Sequence, residues 1–330
     1  MTSAPGSEAA SAVDERVRDW TLRDAVVPAA SAIGLVALIA FGATATPGFL
    51  GVDNLLNIVR AAAIIGIVGL GMTFITISGS FFSLSVAQTA AFAAVMFAGL
   101  LRAEVPIGLV ISAVIAFAIL VGVVQGAFVG RGANPIITTL GAGAVLFGLT
   151  AVITDNRTIN IGSDVAEWLG RGRPLGVPNQ TWLFLVLTVA GTVILSRTRL
   201  GRQIYLVGAN RAAARAAGLP ILGTTLFAFA ASAVTAALAG MLTAAQFGQG
   251  STNQFPDLTI PVIAAVLVGG TSVAGGEGSM LRTMLGAVFI ALLQNIMLLR
   301  GIETGWRLLL TGLIVAVAVS LYALARGRST

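Results

Sequence analysis

The 330-residue sequence contains no cysteine, no histidine and no lysine. Without a thiol or an imidazole there is no thiolate or imidazole metal site, no Ser-His pair and no disulfide framework. Without lysine there is no P-loop lysine, so ATP binding and hydrolysis in the Walker manner must come from another subunit. Charge is scarce too, at 10% of residues against about a quarter in soluble domains. Few carboxylates fall inside apolar runs, which leaves little from which to build a proton relay. Neither enzymatic chemistry, nor a cofactor, nor a metal is expected.

What is present is apolar: 57% hydrophobic residues and a mean hydropathy of +0.96. That composition predicts an all-α fold, a polytopic helical membrane protein. The net charge of +6 comes from arginine alone. These arginines are scattered between apolar runs and form no soluble basic face, so no nucleic-acid partner is expected. About 20 apolar residues cross a bilayer. That length places about ten spans, near 26–45, 58–77, 84–101, 105–129, 134–154, 180–196, 223–247, 259–271, 279–299 and 306–325. Ten spans put both termini on one side, and the arginine distribution makes that side the cytoplasm. The resulting organisation is a cytoplasmic tail over 1–25 and a single membrane domain over 26–325, with a cytoplasmic loop over 197–222. In the tail Val13, Val17 and Trp20 recur at helical spacing among charges, which suits an interfacial amphipathic helix or a solvated tail.

Two Gly-rich segments interrupt the apolar pattern, Ile77 to Ser85 and Gly269 to Met280. Broken segments at corresponding places in two halves suggest a pseudo-symmetric repeat with a solute path between the halves. Pathway candidates are Ser80, Ser83 and Ser85 in the first, and Gly269, Gly270, Thr271, Gly275 and Gly276 in the second. GIVGLGM (Gly66 to Met72) and LGAGAVLFG (Leu140 to Gly148) read as packing seams, since small residues let membrane helices approach closely. Two non-cytoplasmic loops stand out. Asp155 to Asn179 has mixed charge and Trp168, which suits a docking surface or a solvated loop anchored at the interface. Gln246 to Leu258 is rich in polar uncharged groups, able to hydrogen-bond a hydroxylated solute or to cap helices.

The stretch that organises the chain is LGRQIYLVGANRAAARAAGLP, Leu200 to Pro220. Arg202, Arg211 and Arg215 cannot sit in hydrocarbon. The spacing predicts a short helix capped by Asn210, running through Ala217 and stopped by Gly218 and Pro220. Read by itself, this is a solvated basic loop obeying the positive-inside rule. The pattern G-x-N-x-x-A-A-x-x-x-G over Gly208, Asn210, Ala213, Ala214 and Gly218, however, resembles the ATPase-docking loop of ribose-type sugar permeases of ABC importers. Phe49 to Gly79, Ser83 to Val86, Asn134 to Gly141 and Ala264 to Ser279 are similar to the same family.

The resemblance implies a permease subunit in the inner membrane of a bacterium, translocating a sugar or a related small polar solute. Its partners would be ABC ATPase subunits, a second permease copy or paralogue, an extracytoplasmic solute-binding protein and membrane lipid. Gly208, Asn210, Arg211, Ala213, Ala214, Arg215 and Gly218 would form the coupling helix, with the two alanines seated in a groove of the ATPase and the two arginines on its rim. Asn134 joins the pathway candidates on the same ground. One departure bears on the solute: many members carry an Asp where this chain has Ser83. Nucleosides or another small polar solute therefore stay open, as does an ion-coupled secondary transporter.

Overall fold

The computed structural model describes residues 33–162 and 166–327. The tail at 1–25 and Asp164 lie outside them. The elements in order are α1 (Ile33–Ala45), α2 (Val52–Ile77), α3 (Val86–Arg102), α4 (Ile107–Gly130), α5 (Pro135–Thr154), β1 (Ile159–Asn160), α6 (Glu167–Arg171), α7 (Asn179–Arg197), α8 (Arg199–Ala209), α9 (Arg211–Ala216), α10 (Ile221–Phe247), β2 (Gln249–Gly250), α11 (Thr259–Val268), α12 (Met280–Leu299) and α13 (Thr304–Gly327). The strands form one antiparallel pair, Ile159 opposite Gly250.

Among the described residues, six helices are long and apolar enough to cross a membrane: α2, α4, α5, α7, α10 and α12. The segments predicted near 26–45, 84–101 and 259–271 contain the shorter apolar helices α1, α3 and α11. At about 1.5 Å per residue, the ten residues of α11 cover half of a hydrocarbon core about 30 Å thick. Within 259–271 the helix is shorter than the apolar run, because the sequence ruler reads apolar length and is blind to where the helix ends.

α2 is the axial helix. From Ala62 to Ile77 it is apolar or small on every side, the pattern of a helix enclosed by others. It packs against α7, α10, α11 and α12, and its apolar window is 78% buried against 22% for α4 and α5. The first predicted seam is real, since a Cβ on Gly66 would overlap the Phe184 ring and one on Gly71 would overlap Thr235 of α10. The second holds in part: a Cβ on Gly143, which is buried, would meet Ser85 and Gln88 at the start of α3 at 3.4–3.5 Å, while Gly141 and Gly148 have nothing within 4 Å and point outward. A seam the sequence reading passed over lies in α4, where Gly122, Gly126 and Gly130 repeat every fourth residue and back onto α10. A Cβ at Gly122 would stand 2.5 Å from the Ala230 Cα, and one at Gly126 2.9 Å from the Leu226 Cα.

Gly122→Leu should therefore separate two backbones and lower stability by about 1–3 kcal/mol or more. Gly148→Leu, facing open space, should leave the thermal midpoint of the detergent-purified chain unchanged. Equal midpoints for the two variants would contradict the assignment of the seam to α4.

Candidate functional site

The candidate site is the base of the α8–α9 loop. Thr198 accepts from the Gly201 N–H at 3.0 Å and caps α8, whose Ile204 and Val207 are buried while Arg199, Arg202 and Leu206 face out. Asn210 then has an extended backbone, and its Oδ1 accepts from the Ala213 N–H at 2.9 Å, which starts α9. Eight residues after Asn210 the chain leaves through Gly218, at φ +70, with the Leu219 N–H closing on the Ala214 carbonyl at 3.0 Å. A β-branched side chain resists that left-handed geometry, so glycine suits the exit.

α9 has two faces. Ala214 is buried with Val207, Ile221 and Leu219, so it packs on its own chain and is not offered to a partner. Arg211 also turns inward, donating from Nη2 to the Val129 carbonyl at the end of α4, 3.1 Å away. Burial, and then the neighbouring Arg215, lowers the pKa of its guanidinium. Exposed are Ala212, Ala213, Arg215, Ala216 and Ala217. The loop thus presents small residues and one arginine, where the sequence reading had placed both Ala214 and Arg211 at the partner surface.

Below α9 three backbones converge. The Gly276 N–H donates to the Ile77 carbonyl at 2.8 Å, joining the two Gly-rich breaks. Gly208 lies between them: a Cβ on it would sit on the Ile77 carbonyl oxygen and 2.7 Å from the Gly276 nitrogen. A Cβ on Gly275 would lie 2.7 Å from the Gly79 Cα and 2.8 Å from the Gly208 oxygen. Tyr205 adds a hydrogen bond from its hydroxyl to the Gly278 carbonyl, 2.8 Å, and burial raises its pKa. Nothing larger than glycine fits at the centre of this junction.

The predicted pathway residues divide. Ser80, Ser83 and Ser85 are buried in the first break. Ser83 and Ser85 share a hydrogen bond of 3.1 Å, Ser85 donates to Gln125 of α4, and the Leu84 N–H donates to Thr139 of α5. Their hydroxyls are thus engaged within the chain. Gly269 and Gly270 end α11, and a Cβ on Gly269 would stand 2.6 Å from the Arg282 carbonyl oxygen of α12. Thr271 is buried, with a hydroxyl that has no partner among the described residues. Gly275 and Gly276 belong to the junction. Asn134 is apart from these, an exposed cap of α5 accepting from the Ile136 and Ile137 N–H groups. Tyr205, Gln125 and Thr139 were not singled out from sequence; of the three, only Gln125 carried a local signal, a lone amide in the apolar α4.

Residues 54–319 match the family model described as the permease component of the branched-chain amino acid transport system. Among curated proteins, the ribose import permease protein RbsC of Haemophilus influenzae is 34% identical over 88% of this chain and 91% of its own length. The probable ABC transporter permease protein YphD of Escherichia coli is 35% identical over 90% and 91%. The autoinducer 2 import system permease protein LsrC of Klebsiella pneumoniae is 34% identical over 59% and 58%. No solved structure matches the chain. The family match takes in the axial helix, both breaks and the α8–α9 loop, and with these relatives it establishes that the chain belongs to the family of transport-system permease components.

Proposed function

We propose that this chain is the membrane-spanning subunit of an ATP-driven importer, carrying a sugar or a related small polar solute released to it by an extracytoplasmic binding protein. Similarity to the ribose and autoinducer 2 import permeases supports the solute class. The family description names amino acids, but the curated relatives cited here that name a solute name ribose or autoinducer 2. α9 docks on an ABC ATPase, a second permease copy or paralogue completes the pathway, and lipid covers the outward faces of α4, α5 and α7. About ten membrane segments, with α1, α3, α11 and α13 completing the six long ones, leave both termini in the cytoplasm.

The observation that carries the coupling role is the Gly208 junction. α9 exposes small residues outward, while three residues before it the backbone at Gly208 is wedged between both breaks. A rigid-body shift of the ATPase against α9 would reach the two breaks without passing through any flexible side chain.

Alone in proteoliposomes the chain should hydrolyse no ATP and accumulate no ribose. Joined by its ATPase and binding protein, it should accumulate ribose against a gradient. Uptake by the chain alone, driven by an ion gradient, would overturn the reading.

A further inference from the structure

We propose that the cavity between α2, α11, α12 and α13 is a binding site for a neutral polyhydroxylated solute, entered from the side away from α9. This rests on the sugar-import reading above and adds to it where the chain holds its cargo.

Position comes first. α10 spans 27 residues, about 40 Å, from the end of α9 to β2. The segment after β2 therefore starts at the opposite end of the bundle. It turns into α11, and because α11 is short, the segment does not stay at the rim. Ile65, at the middle of α2, lines the same cavity as Gln254 and Asp257. The cavity holds about 330 Å³, at the small end of the range of about 300–1,000 Å³ for ligand sites.

Chemistry follows. Gln254, Asp257, Gln294, Thr304 and Arg307 line the cavity over an apolar floor that includes Ile65. Asp257 and Arg307 do not form an ion pair with each other. Arg307 donates from Nη2 to Thr304 at 2.7 Å, while its Nε is buried with no partner among the described residues. A buried guanidinium N–H without an acceptor is costly unless something else supplies one. Asn295, the neighbour of Gln294, shows the contrast: it exchanges amide hydrogen bonds of 2.7 and 3.1 Å with Asn54. Gln294 has no such side-chain partner among the described residues.

The cavity thus offers donors from a guanidinium, acceptors from a carboxylate, and amides that do both. Each hydroxyl of a sugar donates once and accepts twice, so adjacent hydroxyls can accept from Arg307 and donate to Asp257. The two ionised groups cancel, so neither a cation nor an anion is favoured by net charge. An amino acid zwitterion would satisfy the charged pair but leave the amides and Thr304 with less to bind, and it is the rival occupant.

The native chain has no cysteine, so Leu308→Cys, on the cavity wall, makes a single reporter. It is to be read in the reconstituted assembly with a membrane-impermeant maleimide. The expected result is labelling from the outside, slowed at least roughly threefold by saturating ribose. Gln294→Leu should remove the slowing. Asn156→Cys, in the loop after α5, should be indifferent to ribose. Absence of labelling, labelling insensitive to ribose in an assembly that imports ribose, or slowing by leucine and not by ribose would each overturn the site. An assembly that imports no sugar at all would instead overturn the function proposed above.

Discussion

Gly208→Ala in the assembled transporter is expected to cut solute uptake at least about tenfold while the ATPase continues to turn over. The added methyl has no space, because it lands on the Ile77 carbonyl oxygen and beside the Gly276 nitrogen. Those two atoms are themselves hydrogen-bonded at 2.8 Å, so relief requires breaking that bond or pushing α8 away from both breaks. Overpacking of this kind costs about 1–3 kcal/mol, and a bias of that size moves a two-state equilibrium by about five- to 150-fold. The displaced element would be α9, which begins three residues later. Uptake and ATP hydrolysis measured on the same proteoliposomes separate loss of coupling from loss of assembly. Wild-type uptake by Gly208→Ala would remove the junction from the mechanism. Gly276→Ala gives a second route, since its methyl would lie 2.7 Å from the Ala209 Cα at the end of α8.

A tryptophan at position 213 and one at position 214 should fail in different ways. Ala213 is exposed, so Ala213→Trp meets only whatever covers α9; uptake should fall severely with the thermal midpoint of the isolated chain unmoved. Ala214 is 4% exposed and packed on Val207 and Ile221. Ala214→Trp must therefore lift α9 off its own chain, losing uptake and lowering the midpoint together, with a cost of about 1–3 kcal/mol or more. Measuring both quantities on both variants is decisive. If Ala213→Trp transports normally in the full assembly, α9 is a solvated basic loop and no ATPase sits on it.

Much of this was legible in the sequence for identifiable reasons. α9 could be read because its signals are local: an Asn cap, a run of alanines and an exit glycine act within one stretch of chain. The long helices α4 and α10 could be read because apolar length is also local. Facing is different. That Ala214 turns inward and Ala213 outward depends on Val207 and Ile221, which only the fold brings to α9. The glycines of α5 and α4 illustrate the same limit: their composition is alike, yet Gly141 and Gly148 lie open, Gly143 meets α3, and the α4 set presses on α10. Gly79, Gly208 and Gly275 are far apart along the chain, and nothing near any of them announces that their backbones meet.

The shortness of α11 has a consequence for how the protein is made. Ten residues are too few to hold a segment across the bilayer by themselves. The turn that follows closes the last carbonyls of α11, with the Gly269, Gly270 and Thr271 N–H groups donating to Ala265, Leu267 and Val266. α12 adds close packing: Gly286 lets it lie against the Ala265 carbonyl, and Gly269 lets the turn lie against Arg282. α2 and α13 also pack on α11. Two of these neighbours, α12 and α13, follow α11 in the chain, so its packing is complete only after they have been synthesised.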